Sequence, residues 1–130
     1  MIGSIDRGLV TLLGWRPATA RRRPVPRGQD PPSPDLRRRA GKFQHSVLDT
    51  RGGCLLVSQF TLLANTRRGR RPDFLGAAAP DVAAPLVKEV AETAPRGGVP
   101  VVEGRFGAHM VVRLANDGPV TILLDSRERA

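Results

Sequence analysis

Apolar positions fall into several short runs and one longer periodic stretch, and their spacing separates strands from helix. "LLVSQFTLLAN", residues 55 to 65, is apolar enough for a strand covered on both faces, yet Ser58, Gln59 and Thr61 interrupt it. Buried hydroxyls and amides need hydrogen-bond partners, or each costs about 1–3 kcal/mol, so these three side chains ask for an explanation. "RGLVTLLG", residues 7 to 14, predicts a short apolar strand ending at Gly14. "KFQHSVLD" leads through Gly52-Gly53 into the interrupted run, which predicts two neighbouring antiparallel strands. From Pro80 to Ala94, Val82, Leu86 and Val90 recur every four positions with Ala83 and Val87 beside them. That spacing predicts one amphipathic helix, with Asp81 near its start and Pro95 stopping it; Pro85 fits only in or near the first turn. "VPVVEGRF", "AHMVVRLAN" and "PVTILLD" predict three more strands. In the middle one Met110, Val112 and Leu114 alternate with His109, Val111 and Arg113, as on a half-covered sheet. Strands dominate with one clear helix, which predicts an α+β domain.

Composition narrows the class. A chain of 130 residues suits a single domain, 1–130, with one modest core. No apolar stretch approaches the roughly 18 residues of a membrane helix, and the opening "MIGSIDRGLVTLLGW" lacks the layout of a signal peptide. Lone Cys54 lies in the apolar run, which points to a reducing cytoplasm and a packing role. His45, His109 and that cysteine make no metal-ligand spacing, and no Gly-rich phosphate loop ending in Lys-Ser/Thr occurs.

The formal charge of +9 is unevenly placed. Between Arg16 and Lys42 stand nine basic and two acidic residues, with six of the twelve prolines. Residues 15–40 therefore read as a disordered basic arm able to track phosphates, as a solvated tail, or as text translated out of frame from a GC-rich gene. The rest of the chain is close to neutral. A nucleic-acid-binding role through stacking has little support: the sequence has no Tyr and only four Phe.

Four strings in order, "LVSQFTL", "TRRGRRPDF", "GRFGAHM" and "NDGPVTILLD", resemble the D-aminoacyl-tRNA deacylase family over roughly residues 41 to 126, with a weaker piece at 2 to 14. The resemblance implies a barrel-like, mainly antiparallel sheet. It implies a homodimeric cytoplasmic enzyme that hydrolyses the ester between a D-amino acid and the terminal adenosine of tRNA, as chirality proofreading in translation. Glycine mischarged on tRNA(Ala) is a further expected substrate. The implied partners are aminoacylated tRNA and a second copy, with no DNA, membrane, cofactor or metal. The family also has an additional strand ahead of "IGSIDRGLVTLLG", and an acidic helix and strand where this sequence is rich in Pro and Arg. An inactive remnant and a non-enzymatic basic RNA-binding protein are the alternatives these departures leave.

By that resemblance Ser58, Gln59, Phe60 and Thr61 line a catalytic pocket for the aminoacylated adenosine. Ester hydrolysis builds negative charge on the carbonyl oxygen, and one fixed donor aimed there is worth about 2.7–4 kcal/mol. The backbone N–H groups of Phe60 and Thr61 can serve if the strand ends or bulges at the motif; bonding to neighbouring backbone is the commoner role of buried Ser and Thr. No His-Asp pairing near Thr61 suggests a nucleophile. The family instead implies assistance from the terminal 2′-hydroxyl of the tRNA. Gly118 and Pro119, in "NDGPVT", read as a hairpin turn; the resemblance adds a cis bond whose carbonyls enter the partner's pocket and exclude L side chains. Arg67, Arg68, Arg70 and Arg71 form a loop for tRNA phosphates or a solvated surface. Phe74, Phe106 and Ala108 are candidate pocket walls, with core packing the common fate of such residues.

Overall fold

A computed structural model describes residues 2–17, 38–39, 42–43, 45–67 and 71–127. Three strands form the main sheet: β1 (Gly8–Leu13), β4 (Gly53–Ser58) and β5 (Val101–Glu103), in the order β1-β4-β5. Between them in sequence, β2 (Arg38–Arg39) and β3 (Lys42–Phe43) make a small antiparallel pair. Most of the Arg/Pro-rich segment, 18–37 and 40, lies outside the described residues.

The main sheet corrects the expectation of an antiparallel, barrel-like architecture. Both of its pairings are parallel, from Gly8 opposite Gly53 to Leu13 opposite Ser58, and from Cys54 opposite Val101 to Leu56 opposite Glu103. Among the described residues the sheet does not close. The direction follows from connectivity. β4 reaches β5 through the helix α1 (Pro80–Thr93), and a strand–helix–strand unit makes its two strands parallel.

The predicted hairpin partner of β4 is also absent, for a local reason. The Ser46 N–H and hydroxyl both donate to Asp49 Oδ2, at 2.7 and 2.9 Å, while Asp49 N–H donates back to Ser46 Oγ at 3.2 Å. This reciprocal cap winds residues 47–51 into a helical turn rather than a strand. The Ser46 donors, backbone first, hold the Asp49 carboxyl below its ordinary range. Of the three C-terminal strands expected, one short strand, β5, forms. Residues 108–125 carry no ladder among the described residues, and Val111, Leu114, Ile122, Leu123 and Leu124 stand exposed. Alternation marks a surface suited to a sheet, but pairing needs a neighbouring strand.

α1 matches its predicted span. Pro85 lies beyond the first turn, where it removes the hydrogen bond to the Asp81 carbonyl. Ala83 and Val87 are its buried residues, whereas Val82 is exposed, so one margin of the apolar stripe faces the sheet. Pro95 does not end the winding outright. A 3-10 turn (Ala94–Gly97) continues to Gly98, whose φ of 86° suits glycine. Among the described residues the buried hydrophobic core is Val47, Leu56, Val57, Ala83 and Val87. Gly8 and Gly53 face each other so closely that a Cβ on Gly8 would collide with the Gly53 carbonyl.

Trp15 follows β1, and its carbonyl accepts from Ala78 N–H at 2.7 Å. Its indole N–H is buried with no partner among the described residues. An unmet buried donor costs about 1–3 kcal/mol. Trp15→Phe is therefore expected to unfold at or above the parent midpoint; a midpoint several degrees lower would show that indole packing outweighs the orphaned donor.

Candidate active site

Parallel strands end together, so the sheet gathers three chain segments at its carboxyl edge. Gly14 follows β1, Gln59 follows β4 and Gly104 follows β5. In open sheets with parallel strands, ligands bind beyond this edge. Gly104 N–H donates to Leu56 O at 2.8 Å and Gln59 N–H to Leu13 O at 2.6 Å, so all three exits are tied to the ladder.

The interrupted run is two elements. β4 stops at Ser58, and Phe60–Leu63 turns as a 3-10 helix. Leu62 N–H reaches Gln59 O at 3.3 Å and Ala64 N–H reaches Thr61 O at 3.1 Å. The first two N–H groups of the turn, Phe60 and Thr61, have no partner among the described residues, as at any helical start. The Gln59 side-chain amide donates to Thr61 Oγ1. No His, Asp, Glu or Lys side chain bonds Thr61 among the described residues. Gly14 lets the chain pass close to this turn; a Cβ there would sit 3.0 Å from Gln59 O. The polar residues thus belong to a strand end, and burial does not penalise them.

Phe60 is 57% exposed, and its ring meets the Phe74 ring edge-on at 4.9 Å. Phe106 and Ala108 lie in the turn that follows β5 at the same edge, with Ala108 N–H bonded to Arg105 O at 3.2 Å. Arg67 and Arg71 are exposed; Arg68 and Arg70 lie outside the described residues.

The Gly118–Pro119 peptide is cis. Asn116 braces its loop, with Oδ1 accepting from Val120 N–H at 3.1 Å and Nδ2 donating to Thr121 Oγ1 at 3.3 Å. No hydrogen bond, ion pair or ring contact among the described residues joins this loop to Ser58–Thr61. The arm is tied down further along: Asp125 accepts from Arg127 at 2.7 Å and meets Arg16 at 3.5 Å. The Arg127 bonds, with Arg16 adding to them, hold its carboxyl well below the ordinary range.

One pair of polar residues went unnoticed in the sequence. Asn65 and Asp73 form an antiparallel bridge across the base of the arginine loop, with N–H to O distances of 2.8 and 3.0 Å. Asn65 Nδ2 donates to Asp73 Oδ2 at 3.0 Å. The only sequence signal is their position either side of the arginine run. Among the described residues no group of three or more His, Cys, Asp or Glu side chains is placed to hold a metal. Nor is any helix there long and apolar enough to cross a membrane.

A family profile described as D-Tyr-tRNA(Tyr) deacylase matches residues 33–125. The chain belongs to this family. A D-aminoacyl-tRNA deacylase of Roseiflexus castenholzii is 50% identical over 129 residues, covering 97% of this chain and 81% of the relative. One from Pseudomonas aeruginosa is 43% identical over 136 residues, covering 97% and 88%. One from Thermomicrobium roseum reaches 61% over 89 residues, covering 68% of this chain and 58% of its own length. Among solved structures, the c-Myc DNA Unwinding Element Binding Protein superposes with a TM-score of 0.75 at 30% identity, covering 96% of this chain and 86% of that one. Family membership makes the carboxyl edge, where Ser58–Thr61 and the Phe106 turn lie, the place to look for ester hydrolysis.

Proposed function

We propose that the chain hydrolyses the ester of D-aminoacyl-tRNA at the turn following β4, releasing the D-amino acid and tRNA. The observation that carries this is the strand end itself: β4 stops at Ser58, leaving the Phe60 and Thr61 N–H groups without a partner among the described residues. Two preorganised donors suit the oxygen that gains charge when water attacks the ester. Ser58, Gln59 and Thr61 orient the substrate, and the bond from Gln59 to Thr61 fixes the hydroxyl that faces it. With no acid or base side chain bonded to Thr61 among the described residues, the terminal 2′-hydroxyl of the tRNA assists the attacking water. Phe60 and Phe74 offer an apolar wall beside the turn, and Phe106 and Ala108 wall the same edge. Arg67, Arg68, Arg70 and Arg71 hold acceptor-end phosphates without reading sequence.

The working unit of this reading is a homodimer in the cytoplasm, where charged tRNA is found. Its support is the exposed apolar arm of residues 108–125, a surface of the kind that marks an interaction face. In the dimer, the carbonyls about Gly118 and Pro119 of one copy enter the edge of the other. They occupy the space an L side chain needs, so D-amino acids of many kinds are accepted, and glycine also passes.

The test is a paired deacylation assay. D-Tyr-tRNA is expected to lose its amino acid while L-Tyr-tRNA stays charged, and glycine mischarged on tRNA(Ala) is expected to be released. Equal rates on both hands would remove Gly118 and Pro119 from the account. Tight tRNA binding with no turnover of either substrate would leave a binding protein only.

A further inference from the structure

We propose that Asn65 and Asp73 are positioning residues that hold the base of the arginine loop shut and aim Arg67 and Arg71 at the phosphates of the tRNA acceptor end. This rests on the reading of the loop as the phosphate contact.

The clamp engages the backbone and side chains of both Asn65 and Asp73. Besides the two backbone bonds and the Asn65–Asp73 side-chain bond, Asn65 Oδ1 accepts from Arg67 N–H at 3.1 Å. Asp73 Oδ1 accepts from Leu75 N–H at 3.2 Å. Both oxygens of the Asp73 carboxylate are thereby occupied by Asn65 and Leu75, on a half-buried side chain. A carboxylate eight residues from Asn65, beside four arginines, would ordinarily pair with one of them. Among the described residues neither Arg67 nor Arg71 has an ion pair. Arg67 and Arg71 therefore keep their positive charge exposed to solvent, which fits a polyanion.

The clamp also fixes where that charge sits. Asn65 stands two residues after the 3-10 turn that ends at Leu63, and Asp73 precedes Phe74, whose ring rests against Phe60. Both strands of the loop base are thus bound to the catalytic turn, one through the chain and one through the aromatic contact. A phosphate held by Arg67 is placed relative to the donors of Phe60 and Thr61. An unclamped loop has to be ordered during binding, and that entropy is lost from affinity.

The clamp can be broken and rebuilt with its bonding intact. Asn65→Asp sets two carboxylates face to face, whereas the double variant Asn65→Asp with Asp73→Asn restores one amide-to-carboxylate bond and both acceptors for Arg67 and Leu75. With D-Tyr-tRNA, Asn65→Ala and Asn65→Asp are expected to raise KM roughly tenfold with kcat within about twofold. Binding of uncharged tRNA is expected to weaken similarly, and its logarithmic salt slope to become shallower by about one. The double variant is expected to recover KM and slope. Losses in kcat equal to those in KM, or no recovery in the double variant, would overturn the positioning role. Arg67→Ala with Arg71→Ala separates the two claims. If that variant weakens tRNA binding and Asn65→Ala does not, the clamp inference fails alone. If neither matters, the loop reading fails with it.

Discussion

A tRNA ending in 2′-deoxyadenosine and charged with D-tyrosine at its 3′-hydroxyl is expected to be deacylated roughly 10²–10⁴-fold more slowly than the natural substrate, the usual contribution of a positioned proton-transfer group. Thr61→Val is expected to cost far less. Among the described residues its hydroxyl accepts one side-chain hydrogen bond, from Gln59, and a single such bond is worth about 0.5–1.5 kcal/mol, or roughly 2- to 13-fold. The ranking of the two effects decides the mechanism. If the enzyme's hydroxyl were the nucleophile, Thr61→Val would abolish turnover, the deoxy substrate would react, and an acyl-enzyme would accumulate under single-turnover conditions. The first ranking fits a turn where, among the described residues, no base is bonded to Thr61 and the Phe60 and Thr61 N–H groups have no partner. Single-turnover rates of the two substrates on the parent and on Thr61→Val make the comparison complete.

The second large effect concerns the scaffold. Leu56→Ala is expected to cost about 2–5 kcal/mol. Leu56 is 2% exposed in the central strand, one of five buried hydrophobic core residues among the described residues. Its carbonyl also receives the Gly104 bond that sends the chain toward Phe106. With so few buried side chains there is little to repack around the cavity. At roughly 3–6 °C per kcal/mol for a chain of 130 residues, the unfolding midpoint is expected to fall by at least about 6 °C. A drop below about 2 °C would mean that this sheet is not the centre of stability.

Element type was more legible than element partnership. The run 7–14 and the helix from Pro80 were readable because their periodicity is set by local geometry. Strand direction depends on what joins the strands. The helix between β4 and β5 carries that information, whereas the Gly52-Gly53 turn signal and the family resemblance point toward antiparallel pairing. Ser46 and Asp49, three apart, announced a capped turn that apolar neighbours disguised. In the site, Ser58–Thr61 stood out because polar side chains are costly inside a strand, and the structure resolves the conflict by ending the strand there. Asn65 and Asp73 were invisible for the opposite reason. Polar residues flanking a loop are ordinary, and only their pairing across eight positions gives them meaning.

The arm beyond Ala108 has a consequence for how the protein must be handled. Ile122, Leu123 and Leu124 are 50%, 78% and 59% exposed on backbone that carries no ladder. Such a stretch is a template for any extended chain that reaches it. Fibril-like association needs only another bare segment, and it speeds up with concentration. The net charge of +9 slows it through mutual repulsion, and added salt screens that protection over about 10 Å at 0.1 M. Turbidity after a salt jump is therefore expected to rise with protein concentration, so the order in which salt and protein are mixed changes the outcome.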